Sequence, residues 1–344
     1  MRVVFMGTPE FAARSLERLY SDGHDVAAVF TQPDRRKGRG MKVIFSPVKE
    51  VALQHDTPVY QPTSLLDDAV LKTLQDLKCD LIAVVAYGRL LPEAVLEMPS
   101  LGCINIHASL LPKYRGAAPI QWAVLNGDTI TGVTSMLMAK ELDAGDILFT
   151  KETDIGEEET SGELTERLAL LGAELLSETL NEASHFEDIR KPQNHNEATL
   201  APMITKDLSP IDWTNTTREI KCKVRGLDPW PVATADLQGT VVKVYSVSIE
   251  DSVTAAGETV TAGNMTADEA HATVCETTTA SGAAAAGERI VAGERIAAGE
   301  IIDAGETGIQ IACSDGSIII NELQAPGGKR MSAADYLRGR PLCL

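Results

Sequence analysis

The sequence predicts an α/β chain: a doubly wound, mostly parallel sheet in the first domain, followed by a smaller β domain. Two observations carry the first part. Short apolar runs alternate with amphipathic stretches across residues 1–188, which is a βαβ pattern. Two of those runs, 80–86 and 102–107, are apolar almost throughout, as parallel strands covered on both faces are. A third observation is length, since 344 residues exceed what one core usually fills and two domains are expected.

Taken in order, residues 2–6 form an apolar strand, 9–20 a helix opened by Thr8, and 25–31 the next strand. A basic, glycine-containing loop follows, in which Arg35, Arg36, Lys37, Arg39 and Lys42 stand against Asp34. Strands at 80–86 and 102–107 complete the pattern, and the apolar run Gly132-Val133-Thr134-Ser135-Met136-Leu137-Met138 precedes a turn that begins at Asp143. The first domain is expected over 1–188, a polar linker holding Pro192 over 189–204, and the second domain over 205–344. In that domain, segments 240–247, 308–313 and 317–323 carry β-branched residues between Gly and Asp turns, which suggests a small barrel.

Composition narrows the function classes. Apolar residues make up 44% of the chain, enough for globular cores. The opening run is too short for a signal segment and no run approaches the roughly 20 residues that span a bilayer, so a cytoplasmic protein without a membrane partner is expected. The six cysteines include no CxxC pair; neither a zinc cluster nor a disulfide framework is indicated, no metal site is visible, and the cysteines are expected to be small buried residues. A net charge of −18 argues against broad adhesion to nucleic acid or anionic membranes. Much of it is local: from Ser246 to Gly308, eleven acidic residues face only Arg289 and Arg295. The same segment, around 250–306, repeats Ala-Gly-Glu every six residues and reads as a low-complexity loop insertion.

Doubly wound sheets bind ligands at the carboxyl ends of their strands. A dinucleotide site would need G-x-G-x-x-G after the first strand, and Met6-Gly7-Thr8-Pro9-Glu10-Phe11 lacks it. Instead, Asn105 and His107 end a predicted strand on one side of it, since residues i and i+2 share a face. Each residue alone has an ordinary structural reading, as has Asp143 in its turn. Together they supply an amide donor, a proton carrier and a carboxylate.

Asn105-Ile106-His107, then Ser109-Leu110-Leu111-Pro112-Lys113-Tyr114-Arg115-Gly116, with Asp143-Ala144-Gly145-Asp146-Ile147 downstream, resembles the formyltransferases that use 10-formyltetrahydrofolate. Phe5-Met6-Gly7-Thr8-Pro9-Glu10-Phe11, the loop from Gln32 to Gly40, Ala86-Tyr87-Gly88, Glu322-Leu323-Gln324 and Pro326-Gly327-Gly328-Lys329 resemble the branch that acts on initiator methionyl-tRNA. The resemblance covers nearly the whole chain. It implies a Rossmann-like catalytic domain, an OB-like second domain that helps bind tRNA, a monomer, and 10-formyltetrahydrofolate as formyl donor.

Formyl transfer to an amine passes through a tetrahedral carbon bearing an oxyanion, with one proton lost by the attacking nitrogen and one gained by N10 of the folate. On the resemblance, Asn105 donates to the oxyanion, His107 polarises and shuttles protons, and Asp143 orients the imidazole and sets its tautomer. Folate is expected against Ser109, Leu110, Leu111, Pro112, Ala86, Tyr87, Gly88 and Leu91, in an apolar slot with a few polar groups. The tRNA is expected at Arg35, Arg36, Lys37, Arg39 and Lys42. Basic residues at 218, 221, 223 and 225 and near the C-terminus add to this positive charge. One departure from the family pattern is Trp230-Pro231-Val232-Ala233, where the family has Trp-Pro-Gly-Ala. Two other functions share such a core: formyl transfer to small amines or formylfolate hydrolysis, and RNA binding on an inactive scaffold. The basic loop and second domain speak against the first, the intact Asn105, His107 and Asp143 against the second.

Overall fold

The computed structural model describes residues 1–37, 42–250, 288–291 and 294–343. The chain divides into two units, Met1–Ser209 with Arg225–Ala233, and Pro210–Val224 with Thr234–Leu344.

The first unit runs β1 (Arg2–Gly7), α1 (Glu10–Ser21), β2 (Asp25–Phe30), β3 (Arg35–Lys37), β4 (Lys42–Ile44), α2 (Pro47–Gln54), β5 (Val59–Tyr60), α3 (Asp68–Leu77), β6 (Leu81–Val85), α4 (Glu93–Leu96), β7 (Cys103–His107), β8 (Arg115–Gly116), α5 (Pro119–Leu125), β9 (Ile130–Leu137), β10 (Ile147–Asp154), α6 (Ser161–Asn181), α7 (Phe186–Ile189) and β11 (Leu200–Ala201). Seven strands form one sheet in the order β10-β9-β7-β6-β1-β2-β5. β5, β2, β1, β6 and β7 are parallel, and β9 turns antiparallel to both β7 and β10. This is the Rossmann-like sheet expected, with the strand order reversing between β1 and β6.

Strand alternation divides the apolar side chains between two cores. Val3 and Phe5 of β1 and Ala83 and Val85 of β6 join one core with α1, α2, α5 and α6. Val4, Met6, Ile82 and Val84 join the other, with Leu74 of α3 and Val95 of α4. Cys103 belongs to this second core, so Asn105 and His107, at i+2 and i+4, continue its face beyond the apolar cover.

Two local expectations change. Pro9, not Thr8, occupies the N-cap of α1 and gives no side-chain cap. The Thr8 hydroxyl instead donates to the Tyr87 carbonyl (3.3 Å) and accepts from Gln32 N–H (3.4 Å), tying the ends of three parallel strands together. The segment expected as a linker, 189–204, is built into the first unit: β11 pairs with β8, and Gln193 is buried.

The second unit carries α8 (Thr217–Gly226) up to Val224, then β12 (Ala233–Leu237) from Thr234, β13 (Thr240–Glu250), β14 (Glu288–Val291), β15 (Glu294–Ala297), β16 (Ile301–Gly305), β17 (Gly308–Ala312), β18 (Ser317–Gln324), β19 (Arg330–Ser332) and α9 (Ala333–Gly339). β12-β13-β18-β17-β16 form a sheet, with β19 added on β18. The β13–β18, β18–β17, β17–β16 and β18–β19 pairings are antiparallel, and Val242, Val244, Ile309, Ile311, Ile318 and Ile320 are buried in this unit.

Within the segment expected as a low-complexity insertion, 250–306, the described residues near its end form strands. β14 and β15 pair as an antiparallel hairpin, and β16, which includes Ala304 and Gly305 of the last repeat, is a strand of the main sheet. The β-branched Ile between successive repeats supplies the strand propensity. Residues 251–287, 292 and 293 lie outside the described residues.

Of the described cysteines, Cys103, Cys222 and Cys313 are buried as expected, whereas Cys79 is half-buried and Cys343 exposed. Val232, at the position where the sequence departs from the resembled pattern, is buried and holds φ at 74°, a left-handed conformation unusual for a β-branched residue.

Candidate active site

A cavity of about 710 Å³ opens at the carboxyl ends of β1, β6 and β7, at the point where the strand order reverses. Glu10 and Phe11 reach it from the start of α1, Ala86, Tyr87, Gly88 and Leu91 from the loop after β6, and Asn105 and His107 from β7. Asp143 lines it beside His107, with Met136 and Met138 adding apolar wall.

Asn105 is 9% exposed, and among the described residues its side-chain amide makes no hydrogen bond. Its amide faces the cavity and is free to bond a group placed there. His107, 6% exposed, has its Nε2 2.9 Å from the Tyr114 carbonyl oxygen. A carbonyl only accepts, so Nε2 carries the hydrogen and Nδ1 is the free ring position. Nδ1 stands 3.8 Å from Asp143 Oδ2, too far for a hydrogen bond and close enough to balance a proton arriving there. The tautomer is therefore set by Tyr114, not by Asp143 as expected.

Asp143 is itself held by the backbone. Its Oδ2 accepts from Gly116 N–H at 2.8 Å, and its φ of 49° lies in the left-handed region that Asp tolerates better than most residues. Gly116, at φ +124°, has no room for a side chain, since a Cβ would sit 2.7 Å from the Ala201 carbonyl. Tyr114 (φ 61°) and Ala86 (φ 45°), near Asp143 and in the loop after β6, are also left-handed. The Tyr114 hydroxyl donates to Asp128 Oδ2 (2.8 Å) and accepts from Asn126 (3.0 Å); burial first, then the Asp128 carboxylate, pushes it up to about 12.

The expected folate residues separate into two groups. Ala86, Tyr87, Gly88 and Leu91 line the cavity. Ser109, Leu110, Leu111 and Pro112 do not: the Ser109 carbonyl accepts from Thr134 Oγ1 (2.6 Å), which in turn accepts from Leu111 N–H (3.1 Å), so this loop is tied down onto β9. Tyr87 is 2% exposed and its hydroxyl has no partner, an orphaned donor beside an apolar slot. That suits a flat ring edged with polar atoms. Sequence reading missed Glu10, Phe11, Met136 and Met138, whose types carry no catalytic signal, and the Tyr114 carbonyl, which any residue could supply.

The expected tRNA residues lie on a separate feature. β3 and β4 pair antiparallel, with Arg35 opposite Ile44 and Lys37 opposite Lys42, so the basic loop is a hairpin. Arg39 and its neighbours 38, 40 and 41 lie outside the described residues. Among the described residues, no cluster of His, Cys, Asp or Glu is arranged to hold a metal, and no helix is long and apolar enough to cross a membrane.

A Rossmann-like sheet with an amide, an imidazole and a carboxylate at its switch point agrees with what the comparisons return. Residues 1–180 match the formyl transferase family and residues 203–341 its C-terminal domain, so the chain belongs to the formyl transferase family. Within it, the chain is 42% identical over 343 residues to the methionyl-tRNA formyltransferase of Trichlorobacter lovleyi, covering 100% of this chain and 95% of that protein. It is 50% identical over 252 residues to that of Alkaliphilus oremlandii, covering 73% of this chain and 81% of the relative. Among solved structures, the N-formyltransferase of Helicobacter canadensis with folinic acid and dTDP-3-aminofucose superposes with a TM-score of 0.60 at 16% identity, covering 92% of this chain and 98% of that one. HypX of Aquifex aeolicus with tetrahydrofolic acid gives 0.56 at 18% identity over 98% of this chain, which spans only 47% of HypX. At such identities these two structures speak for the fold alone.

Proposed function

We propose that this chain transfers the formyl group of 10-formyltetrahydrofolate to the α-amino group of methionine on initiator methionyl-tRNA, for translation initiation. The observation that carries the chemistry is the unpartnered Asn105 amide beside His107 in one cavity. The acceptor rests on 42% identity over the whole length to a methionyl-tRNA formyltransferase.

In this reading Asn105 donates to the oxyanion that forms as the amine attacks the formyl carbon. Nδ1 of His107 takes the proton that the amine sheds and returns one toward N10 of the folate, while Asp143 balances the imidazolium from 3.8 Å. The folate ring lies between the apolar walls and the loop carrying Ala86, Tyr87, Gly88 and Leu91. The hairpin residues Arg35, Arg36, Lys37, Arg39 and Lys42 contact tRNA phosphates.

The second unit, Pro210–Val224 with Thr234–Leu344, acts as an OB-like tRNA-binding domain. The second family region, residues 203–341, supports a distinct C-terminal domain. The protein works as a cytoplasmic monomer. The experiment is the rate of formyl transfer from 10-formyltetrahydrofolate to methionyl-initiator tRNA, with methionyl-elongator tRNA, small amines and water as competing acceptors. Transfer to the initiator alone is expected; formate release, or transfer only to small amines, overturns the tRNA assignment.

A further inference from the structure

Gln193 lies in the gap between the two matched family regions, and it is 6% exposed. Its side-chain oxygen accepts two hydrogen bonds from Arg115, from Nε at 3.1 Å and Nη2 at 2.5 Å. Its amide nitrogen donates to the carbonyls of Asp143 (2.9 Å) and Gly145 (2.7 Å). An amide offers two donors and two acceptor positions, and here all four are used.

These bonds close a circuit around the candidate carboxylate. Three consecutive residues share the work: the Tyr114 carbonyl holds His107 Nε2, the Arg115 guanidinium holds Gln193, and Gly116 N–H holds Asp143 Oδ2. Gln193 then returns to the Asp143 backbone, so the carboxylate is fixed from its side chain and from its own main chain. The turn has little other freedom, because a Cβ at Gly145 would lie 1.7 Å from the Leu137 carbonyl. A left-handed Asp143 needs such over-determination to persist.

We infer that Gln193 is a positioning residue for formyl transfer, holding the Asp143 turn at the distance from His107 that the proton transfers require. The inference rests on Asp143 acting in the reaction. A group held by two opposed sets of bonds moves little, and catalytic geometry tolerates only about 0.5 Å of error. Gln193→Met keeps the length and removes every hydrogen bond; Gln193→Glu keeps the Arg115 pairing and turns both donors into acceptors facing carbonyls.

The test is steady-state formyl transfer to methionyl-initiator tRNA by the full-length protein, with Gln193→Met, Gln193→Glu, Asp143→Ala and the double variants. Each Gln193 variant is expected to lower kcat by about 10- to 100-fold with KM for folate and tRNA within about twofold. In the Asp143→Ala background the same substitutions are expected to cost nothing further, because what they position is gone. A loss that multiplies with Asp143→Ala, or wild-type kcat in both variants, overturns the positioning role. If Gln193→Met fails to fold, Gln193→Glu still decides, since its retained Arg115 ion pair separates folding from positioning. An Asp143→Ala enzyme with wild-type kcat would sink the assignment of Asp143 itself.

Discussion

The cavity and the basic hairpin sit on the same unit but are held in opposite ways. Around His107 a chain of hydrogen bonds holds the site: Tyr114 to the imidazole, Gly116 to Asp143, Gln193 to the turn beyond. The described side-chain contacts of the hairpin lie at its base. Lys49 Nζ reaches Asp34 Oδ2 (2.6 Å) and Gln61 Oε1 (2.8 Å), Gln61 donates to the Gln32 carbonyl (2.9 Å), and the Lys49 ammonium stands 3.9 Å over the Phe45 ring. Asp34 enters the hairpin and Phe45 leaves it, so one lysine clamps both ends. Bond-making needs atoms set to fractions of an ångström, whereas phosphate contact needs charge and reach.

The largest effect should come from the cavity. His107→Ala or Asn105→Ala is expected to fold normally and lose roughly 100- to 1,000-fold in kcat, with tRNA affinity kept. Binding of labelled methionyl-tRNA alongside single-turnover rates checks both halves. A matching loss of affinity would mean that the two regions are not separable.

Much of this first region was legible in the sequence, for identifiable reasons. Uninterrupted apolar runs gave away β6 and β7 because both faces of those strands are covered. The polar pair on β7 stood out because it interrupts such a run. Asp143, 36 positions after His107, could be joined to it only through the family resemblance, since nothing local reports their approach. Gln193 was illegible: its partners are a guanidinium and two carbonyls brought in from distant turns, so its stretch read as polar linker. Ser109 to Pro112, expected at the folate through the family resemblance, are tied by backbone bonds to Thr134 rather than lining the cavity, a tertiary contact that no local pattern reports.

Breaking the hairpin's clamp should give the converse phenotype. Lys49→Ala removes the cation shared by Asp34, Gln61 and the Phe45 ring, a half-buried set of charge-assisted contacts. KM for tRNA is expected to rise about tenfold with kcat at saturating tRNA unchanged. Arg39→Ala, at a position outside the described residues, should weaken tRNA binding several-fold and lower the slope of log affinity against log salt by about 1. A kcat defect in Lys49→Ala would instead tie the hairpin base to the chemistry, by way of Gln32 and its 3.0 Å bond to the Tyr87 carbonyl.

The smallest effect concerns the residue that gives His107 its tautomer through a backbone atom. Because Tyr114 acts on the imidazole by its carbonyl, Tyr114→Phe should preserve that contact and change kcat by less than about threefold. The hydroxyl it loses leaves Asp128 and Asn126 short of a partner, at a cost of about 1 kcal/mol of stability near neutral pH. The pH dependence separates this from a catalytic role. With its folded pKa raised to about 12 against roughly 10 in the unfolded chain, Tyr114 keeps its full stabilising contribution below about pH 10 and loses it as pH rises toward 12, because the unfolded state sheds its proton first. Melting curves at several pH values should therefore show the wild type falling faster than Tyr114→Phe above about pH 10, with the residual slope in the variant coming partly from Tyr20 and Tyr87, also raised by burial. If the two curves stay parallel through that range, the hydroxyl is not held as described; if kcat falls by the hundredfold expected of His107→Ala, the side chain and not the carbonyl supports the imidazole.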